Sequence, residues 1–150
     1  VNVLIINGPN LNLLGEREPE IYGRKTLRDL EREVSKHARK LRQRVRFFQS
    51  NHEGAIVDEL HSRRKWADAI VINPAAFTHY SYSIRDALLA VALPAAEVHL
   101  SDVDNREGDF RKISVVRDVC VHRFTGEGFG SYFKALDALA ADRTARKKRK

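Results

Sequence analysis

The sequence predicts an α/β fold: a doubly wound, five-stranded parallel sheet with helices on both faces. Three observations predict it. Short apolar runs rich in β-branched residues recur along the 150 residues. Between them stand segments whose apolar residues step by three and four, the period of an amphipathic helix. The runs VLII and AIVI are also continuously apolar, as strands buried on both faces are. Strands alternating with helices call for a parallel sheet covered on both sides. Five strands at this length fit a flavodoxin-like arrangement, a single domain over 1–142 with no internal repeat and no interdomain linker.

VNVLII opens the chain as a buried strand ended by Asn-Gly. From Thr26 the period changes: Leu27, Leu30, Val34, Ala38 and Leu41 form one stripe, and the positions between them are mostly charged. VRFFQS (45–50) is the second strand, and EGAIVDELHSRRKW places Ile56, Leu60 and Arg64 on one helical stripe. AIVIN (69–73) is the third strand, SIRDALLAVAL (83–93) the third helix and AEVHL (96–100) the fourth strand. DVCVHRF (118–124) alternates as a fifth strand, with Cys120 as a buried structural thiol, and YFKALDALAAD (132–142) closes the domain as a helix.

The formal charge of +7 invites a nucleic-acid reading, but its location argues against one. The tail RTARKKRK (143–150) holds six of the 27 basic residues and no acid; the remaining 21 nearly match the 20 acidic residues. The body is close to neutral, and the excess is expected on a disordered, solvated end. Neither a specific nucleic-acid partner nor a membrane is expected. The longest apolar run, ALLAVALPAA, is broken by Pro94 and falls short of the roughly 20 residues a membrane helix needs. The opening strand pattern is not that of a signal peptide, so the expected location is cytoplasmic. One cysteine allows no internal disulfide and no cysteine metal cluster.

The unusual polar residues follow the strands. NGPNLNLLGEREPEIYG comes after the first, QSNHEG after the second, NPAAFTHYSYS after the third and EVHLSD at the end of the fourth. Open α/β sheets bind ligands beyond the carboxyl ends of their strands, so these four segments are expected to converge on one rim. The first loop has neither GxGxxG nor GxxxxGK[ST]. GEGFG (126–130) precedes a helix but follows the last strand and lacks a lysine, which leaves a flavodoxin-like nucleotide- or flavin-binding module as the alternative function. His52 and His61 are nine residues apart, whereas a helical zinc pair wants four. His52 reads as a hydrogen-bonder at a loop or helix start. His37 and His122, with no partner nearby in sequence, read as structural.

In this order the motifs NGPNLNLLGEREPEIYG, QSNHEGAIVDELH, INPAAFTHYSYSIRDAL, EVHLSD and REGDFR resemble the type II dehydroquinases, the type II 3-dehydroquinate dehydratases of the shikimate pathway, from Val1 to about residue 140. The resemblance implies a hydro-lyase that removes water from 3-dehydroquinate to give 3-dehydroshikimate. The elimination is anti and runs through an enolate, without Schiff base, metal or other cofactor. By resemblance Tyr22 is the base, Arg17 the cation beside it, and Asn10 the holder of a water on the enolate oxygen. His99 is the acid on the departing hydroxyl, oriented by Glu97. Asn73, His79, Arg111 and the Leu100–Ser101 backbone resemble the family's substrate binders. Asp86 resembles a residue sent into a neighbouring subunit's site, and the family's assembly is a dodecamer of trimers.

Elementary chemistry is consistent with those roles. A free tyrosine at neutral pH is a phenolate about one time in a thousand, a cost of roughly 4 kcal/mol; a nearby guanidinium recovers part of it. A preorganised amide suits the developing enolate charge, and a histidine can protonate a poor leaving group near neutral pH. Glu97 and His99 are two apart in a strand and so share a face, where a carboxylate can fix the ring tautomer and favour its charged form. The polar segment REPEIYG is expected to act as a lid, and 102–111 to be less ordered than the sheet. The chain departs from the family pattern in several places. Ala75 stands where glycine is usual, which matters if that backbone needs positive φ. Tyr80 replaces a threonine, Asp102 an asparagine, and His122 and Ser131 glycines. The loop before Arg111 is one residue longer, which makes Arg106 a rival for its role.

Overall fold

The structure, a computed structural model, describes residues 1–150 except for the side chain of Tyr22. Strand β1 (Asn2–Asn7) leads through a long loop, which holds the short helix α1 (Pro19–Tyr22), into α2 (Leu27–Lys40). Then come β2 (Arg44–Gln49), α3 (Glu53–Arg63), β3 (Ala69–Asn73), α4 (Tyr82–Val91) and β4 (Ala95–Val98). A segment of three 3₁₀ turns precedes β5 (His122–Phe124), and α5 (Gly130–Lys148) follows it. All five strands are parallel, in the order β2-β1-β3-β4-β5. This is the flavodoxin-like arrangement, and its strand order reverses between β1 and β3, where such sheets place their ligands.

Strand parity sorts the side chains. Val3, Ile5, Val71, Ala96 and Val98 pack with Leu30, Val34, Tyr132 and Leu136 on the α2/α5 face. Leu4, Ile6, Ile70 and Ile72 pack with Ile56, Leu60, Ile84 and Leu88 on the α3/α4 face. Val3 to Ile6 are each fully or nearly fully buried, and such a side chain stabilises the fold by about 1.5–3 kcal/mol. The same parity sends Asn7 and Asn73, register partners at the ends of β1 and β3, toward α5. It sends Glu97 to the α4 side. Helix α2 starts where its period begins. Thr26 Oγ1 accepts from the Asp29 N–H at 3.2 Å, and the Asp29 carboxylate accepts from the Thr26 N–H at 2.9 Å. This reciprocal cap satisfies two otherwise unpaired donors.

Several expectations are corrected. The first strand does not stop before Asn-Gly but runs through Asn7, its buried last residue. Strand β4 ends at Val98, so His99 and Leu100 lie just past it. Strand β5 pairs over only three residues, because its neighbour β4 is itself short. The stretch expected to lead into it turns instead as 3₁₀ helix at Arg117–Val119, which lets Val116 bury completely on the α3/α4 face. Cys120 follows that turn and is half-buried, and burial pushes its thiol up to about 12, which leaves it inert. His37 and His122 do have partners: Asp137 and Asp142 of α5, each at 2.7 Å. Those contacts span 100 and 20 residues of sequence, out of reach of a local reading. His52 precedes α3 but caps it with no side-chain bond; its N–H donates to Ser50 Oγ at 2.9 Å. The expected disordered tail is helical to Lys148. Arg143 pairs with Asp68 at 3.1 Å, and the basic residues that follow sit at a helix C-terminus, whose carbonyls favour cations.

Candidate active site

A cavity of about 300 Å³ opens at the carboxyl ends of β1, β3 and β4. The first loop supplies Asn10 and Arg17, the segment after β3 supplies Asn73 and His79, and the end of β4 supplies His99, Leu100 and Ser101. Arg106, Phe110 and Arg111 close the far wall. Eight of the eleven residues singled out from the sequence thus line one space.

The first loop is held from below. Gly8 approaches β3 so closely that a Cβ there would lie 2.5 Å from the Pro74 carbonyl oxygen, and its N–H donates to the Asn73 carbonyl at 2.8 Å. Asn10 has a left-handed backbone, φ 70°, and its N–H donates to Asn51 Oδ1 at 2.9 Å. Gln49 Nε2 donates to the Gly8 carbonyl at 3.1 Å. The QSN stretch at the end of β2 therefore braces this loop and does not line the cavity.

His99 rests on Glu97. Its Nε2 lies 2.7 Å from Glu97 Oε1, and both side chains are buried. Burial alone would raise the Glu97 pKa. The hydrogen bond and charge of His99, the Thr78 hydroxyl and the Arg123 guanidinium outweigh it and bring the carboxyl down to about 2. An ionised Glu97 only accepts, so Nε2 carries a proton and Nδ1 is left for the cavity. Thr78 donates to Glu97 Oε1, Ser114 Oγ bonds both carboxylate oxygens at 2.9–3.0 Å, and Arg123 Nε donates to Oε2 at 3.1 Å. Arg123 also forks onto Asp104 at 2.9 and 3.2 Å, which holds the Asp104 carboxyl below its usual range.

His79 Nδ1 lies 2.7 Å from the Ile113 carbonyl, with its ring edge-on to Phe110. Burial lowers its pKa, with the neighbouring His99 and Arg111 adding to the effect. Arg111 lies over the Phe110 ring and donates through Nε to the Glu107 carbonyl at 3.0 Å. Both arginines, the match and its rival, face the cavity. Glu18 lies 3.5 Å from Arg17 and 3.6 Å from Arg106, joining the first loop to the far wall. Asp86 is exposed on α4 and does not line the cavity. The side chain of Tyr22, expected to be the base, lies outside the described residues. Among the described residues no cluster of three His, Cys, Asp or Glu is placed to hold a metal, and no helix is long and apolar enough to cross a membrane.

The family model Dehydroquinase class II matches residues 1–140. The chain belongs to that family. A 3-dehydroquinate dehydratase of Halothermothrix orenii is 51% identical over 137 residues, covering 91% of this chain and 92% of that protein. Among solved structures, a type II dehydroquinase from Butyrivibrio crossotus is 45% identical with a TM-score of 0.89, covering 93% of this chain and 97% of that one. A type II dehydroquinase from Propionibacterium acnes is 38% identical with a TM-score of 0.88, covering 93% and 96%.

Reading the class II dehydroquinase motifs along the chain missed Thr78, Ser114, Arg123 and Asp104 around Glu97, and Tyr132 behind Asn73. Thr78 lies inside INPAAFTHYSYSIRDAL, where a threonine beside a histidine carries no signal of its own. Arg123 carried one usable signal: a cation in a strand otherwise read as buried needs a carboxylate partner.

Proposed function

We propose that this chain is a 3-dehydroquinate dehydratase, a single catalytic domain that serves the shikimate pathway in the cytoplasm. The observation that carries the proposal is the convergence of Asn10, Arg17, Asn73, His79, His99 and Arg111 on one cavity in a chain of the class II dehydroquinase family. Tyr22, as phenolate stabilised by Arg17, removes the proton from the carbon beside the substrate ketone. The carbon–hydrogen pair flows into an enolate whose oxygen meets a water held by Asn10. The enolate then expels the hydroxyl from the opposite face while His99 gives it a proton through Nδ1, so that one water leaves. Glu97 keeps Nε2 protonated and stabilises the imidazolium before transfer. Asn73, His79, Arg111 and the Leu100–Ser101 backbone bind the substrate's hydroxyls and carboxylate, with Arg106 beside them. No cofactor enters these steps.

The first loop, from Arg17 through α1, is the lid, drawn toward the far wall by Glu18. Asp86 shares an exposed face of α4 with Tyr82 and Leu89, at i−4 and i+3, both more than half exposed. That apolar face suits a second copy of the chain, in line with a homo-oligomer built from trimers into a dodecamer, in which Asp86 reaches a neighbour's site.

The test is an ultraviolet assay for the conjugated enone product. The parent chain is expected to turn over 3-dehydroquinate, and Tyr22→Phe to lose at least about 100-fold in kcat, the usual scale of a proton-transfer residue. A silent parent defeats the enzyme, and an undiminished Tyr22→Phe defeats the base.

A further inference from the structure

Tyr132 of α5 is one of the largest fully buried side chains in the protein, and the proposed chemistry leaves it without a role. It sits behind the cavity, between the ends of β1 and β3. Its hydroxyl donates to Asn7 Oδ1 at 2.6 Å and accepts from Asn73 Nδ2 at 3.0 Å. Burial holds the phenol well above the usual tyrosine range, so it stays neutral and keeps its proton. With that proton committed to Asn7, the oxygen offers Asn73 only lone pairs.

This decides which way the Asn73 amide points. Its Nδ2 faces Tyr132, and its Oδ1 accepts from the Ala75 N–H at 3.1 Å. A flipped amide would set a carbonyl against the Tyr132 oxygen, whose proton is already used, and an NH₂ against the Ala75 N–H. Both contacts would be repulsive. The lock leaves Asn73, a wall residue of the cavity, with one Nδ2 hydrogen uncommitted.

Stability does not account for this arrangement. Asn7 Nδ2 is buried with no partner among the described residues, and an unmade buried hydrogen bond works against folding. Three apolar residues would fill the same space without that penalty.

We infer that Tyr132 is a positioning residue: it locks the Asn73 amide so that one N–H is presented to a substrate oxygen, a hydroxyl or carboxylate. The inference rests on the dehydratase reading for its substrate, but the lock itself does not. Tyr132→Phe keeps the ring and deletes the lock, and is expected to raise KM for 3-dehydroquinate about tenfold with kcat changed by less than about threefold. In an Asn73→Ala background the same change is expected to move KM by less than about twofold, because the group it acts through is gone. An unchanged KM alongside a lowered melting temperature would make Tyr132 merely structural, and additive effects of the two changes would show that it does not act through Asn73; either result overturns the inference. If Tyr132→Phe does not fold, the parent decides by NMR. The Asn73 side-chain NH₂ is expected to give two separate signals, one of them protected from solvent exchange in the ligand-free chain. Rapid exchange of both overturns the lock. A parent that folds, shows that protection and yet turns over no 3-dehydroquinate removes the proposed function and leaves the lock standing.

Discussion

Ala75 adopts φ 52°, a left-handed backbone that an alanine Cβ makes unfavourable by about 1–2 kcal/mol. Glycine relieves the clash but adds freedom to the unfolded chain, which returns about 0.4–1 kcal/mol of the gain. Ala75→Gly is therefore expected to stabilise the protein by roughly 0.5–1 kcal/mol in urea unfolding. A destabilised variant would mean that the Asn73 bond to the Ala75 N–H depends on the stiffer alanine. Glu97 gives the fold a pH dependence. Its folded pKa of about 2 lies below the ordinary 4.5, so its contribution is fully present above pH ~4.5 and is lost as pH falls from there toward 2. The difference corresponds to roughly 3 kcal/mol. Urea titrations of the parent and Glu97→Gln between pH 7 and 2.5 should converge as the pH drops, with the parent more stable at neutral pH. Parallel curves would show that the carboxylate is not held ionised. His99, Glu97, Arg17 and Asn73 were legible in the sequence because their motifs are local. Tyr132 was not, because its partner Asn7 is 125 residues away.

At the scale of elements, Arg123 ties three pieces together. It stands on β5 opposite Glu97 of β4 in the parallel register and reaches on to Asp104, in the turn that begins the cavity's far wall. One side chain thus connects the His99–Glu97 pair to the segment carrying Arg106 and Arg111. Its side chain is 13% exposed and Glu97 is 0% exposed, so removing the guanidinium strands a buried carboxylate. Arg123→Met is expected to cost about 3 kcal/mol in urea unfolding at pH 7. Asp104→Asn, on the more exposed side of the pair, should cost about 1 kcal/mol or less. A loss below about 1 kcal/mol for Arg123→Met would mean that Thr78, Ser114 and His99 satisfy Glu97 alone. The long elements were readable because period and burial agree in them: the stripe from Leu27 to Leu41 and the run AIVIN need no tertiary information. β5 was overextended for the opposite reason. DVCVHRF alternates along its length, but an edge strand pairs only as far as its parallel neighbour reaches, and β4 begins only at Ala95, which leaves the first residues of that run without a partner strand.

At the scale of the molecule, chemistry and anchoring occupy opposite ends of the sheet. The cavity lies at the carboxyl ends of the strands. Asp68, just before β3, accepts from the Asn2 N–H at 2.8 Å and pairs with Arg143, which places the last part of α5 at the amino ends. Composition located the basic excess but could not decide its conformation: charge density suggests disorder, whereas continuity with a packed helix, a buried Leu139 and a carboxylate waiting at Asp68 extend it. The two views differ in what truncation does. Ending the chain at Asp142 keeps the His122–Asp142 contact and removes the Arg143–Asp68 pair, whose side chains are 41% and 37% exposed. A pair that open contributes at most about 1 kcal/mol, so the melting temperature should fall by about 2–4 °C or less. Because no removed residue lies near the cavity, kcat/KM should stay within about twofold of the parent. A disordered tail predicts no thermal shift at all. A large loss of turnover at intact folding would place the basic end in the catalytic assembly, and the two ends would not be separate.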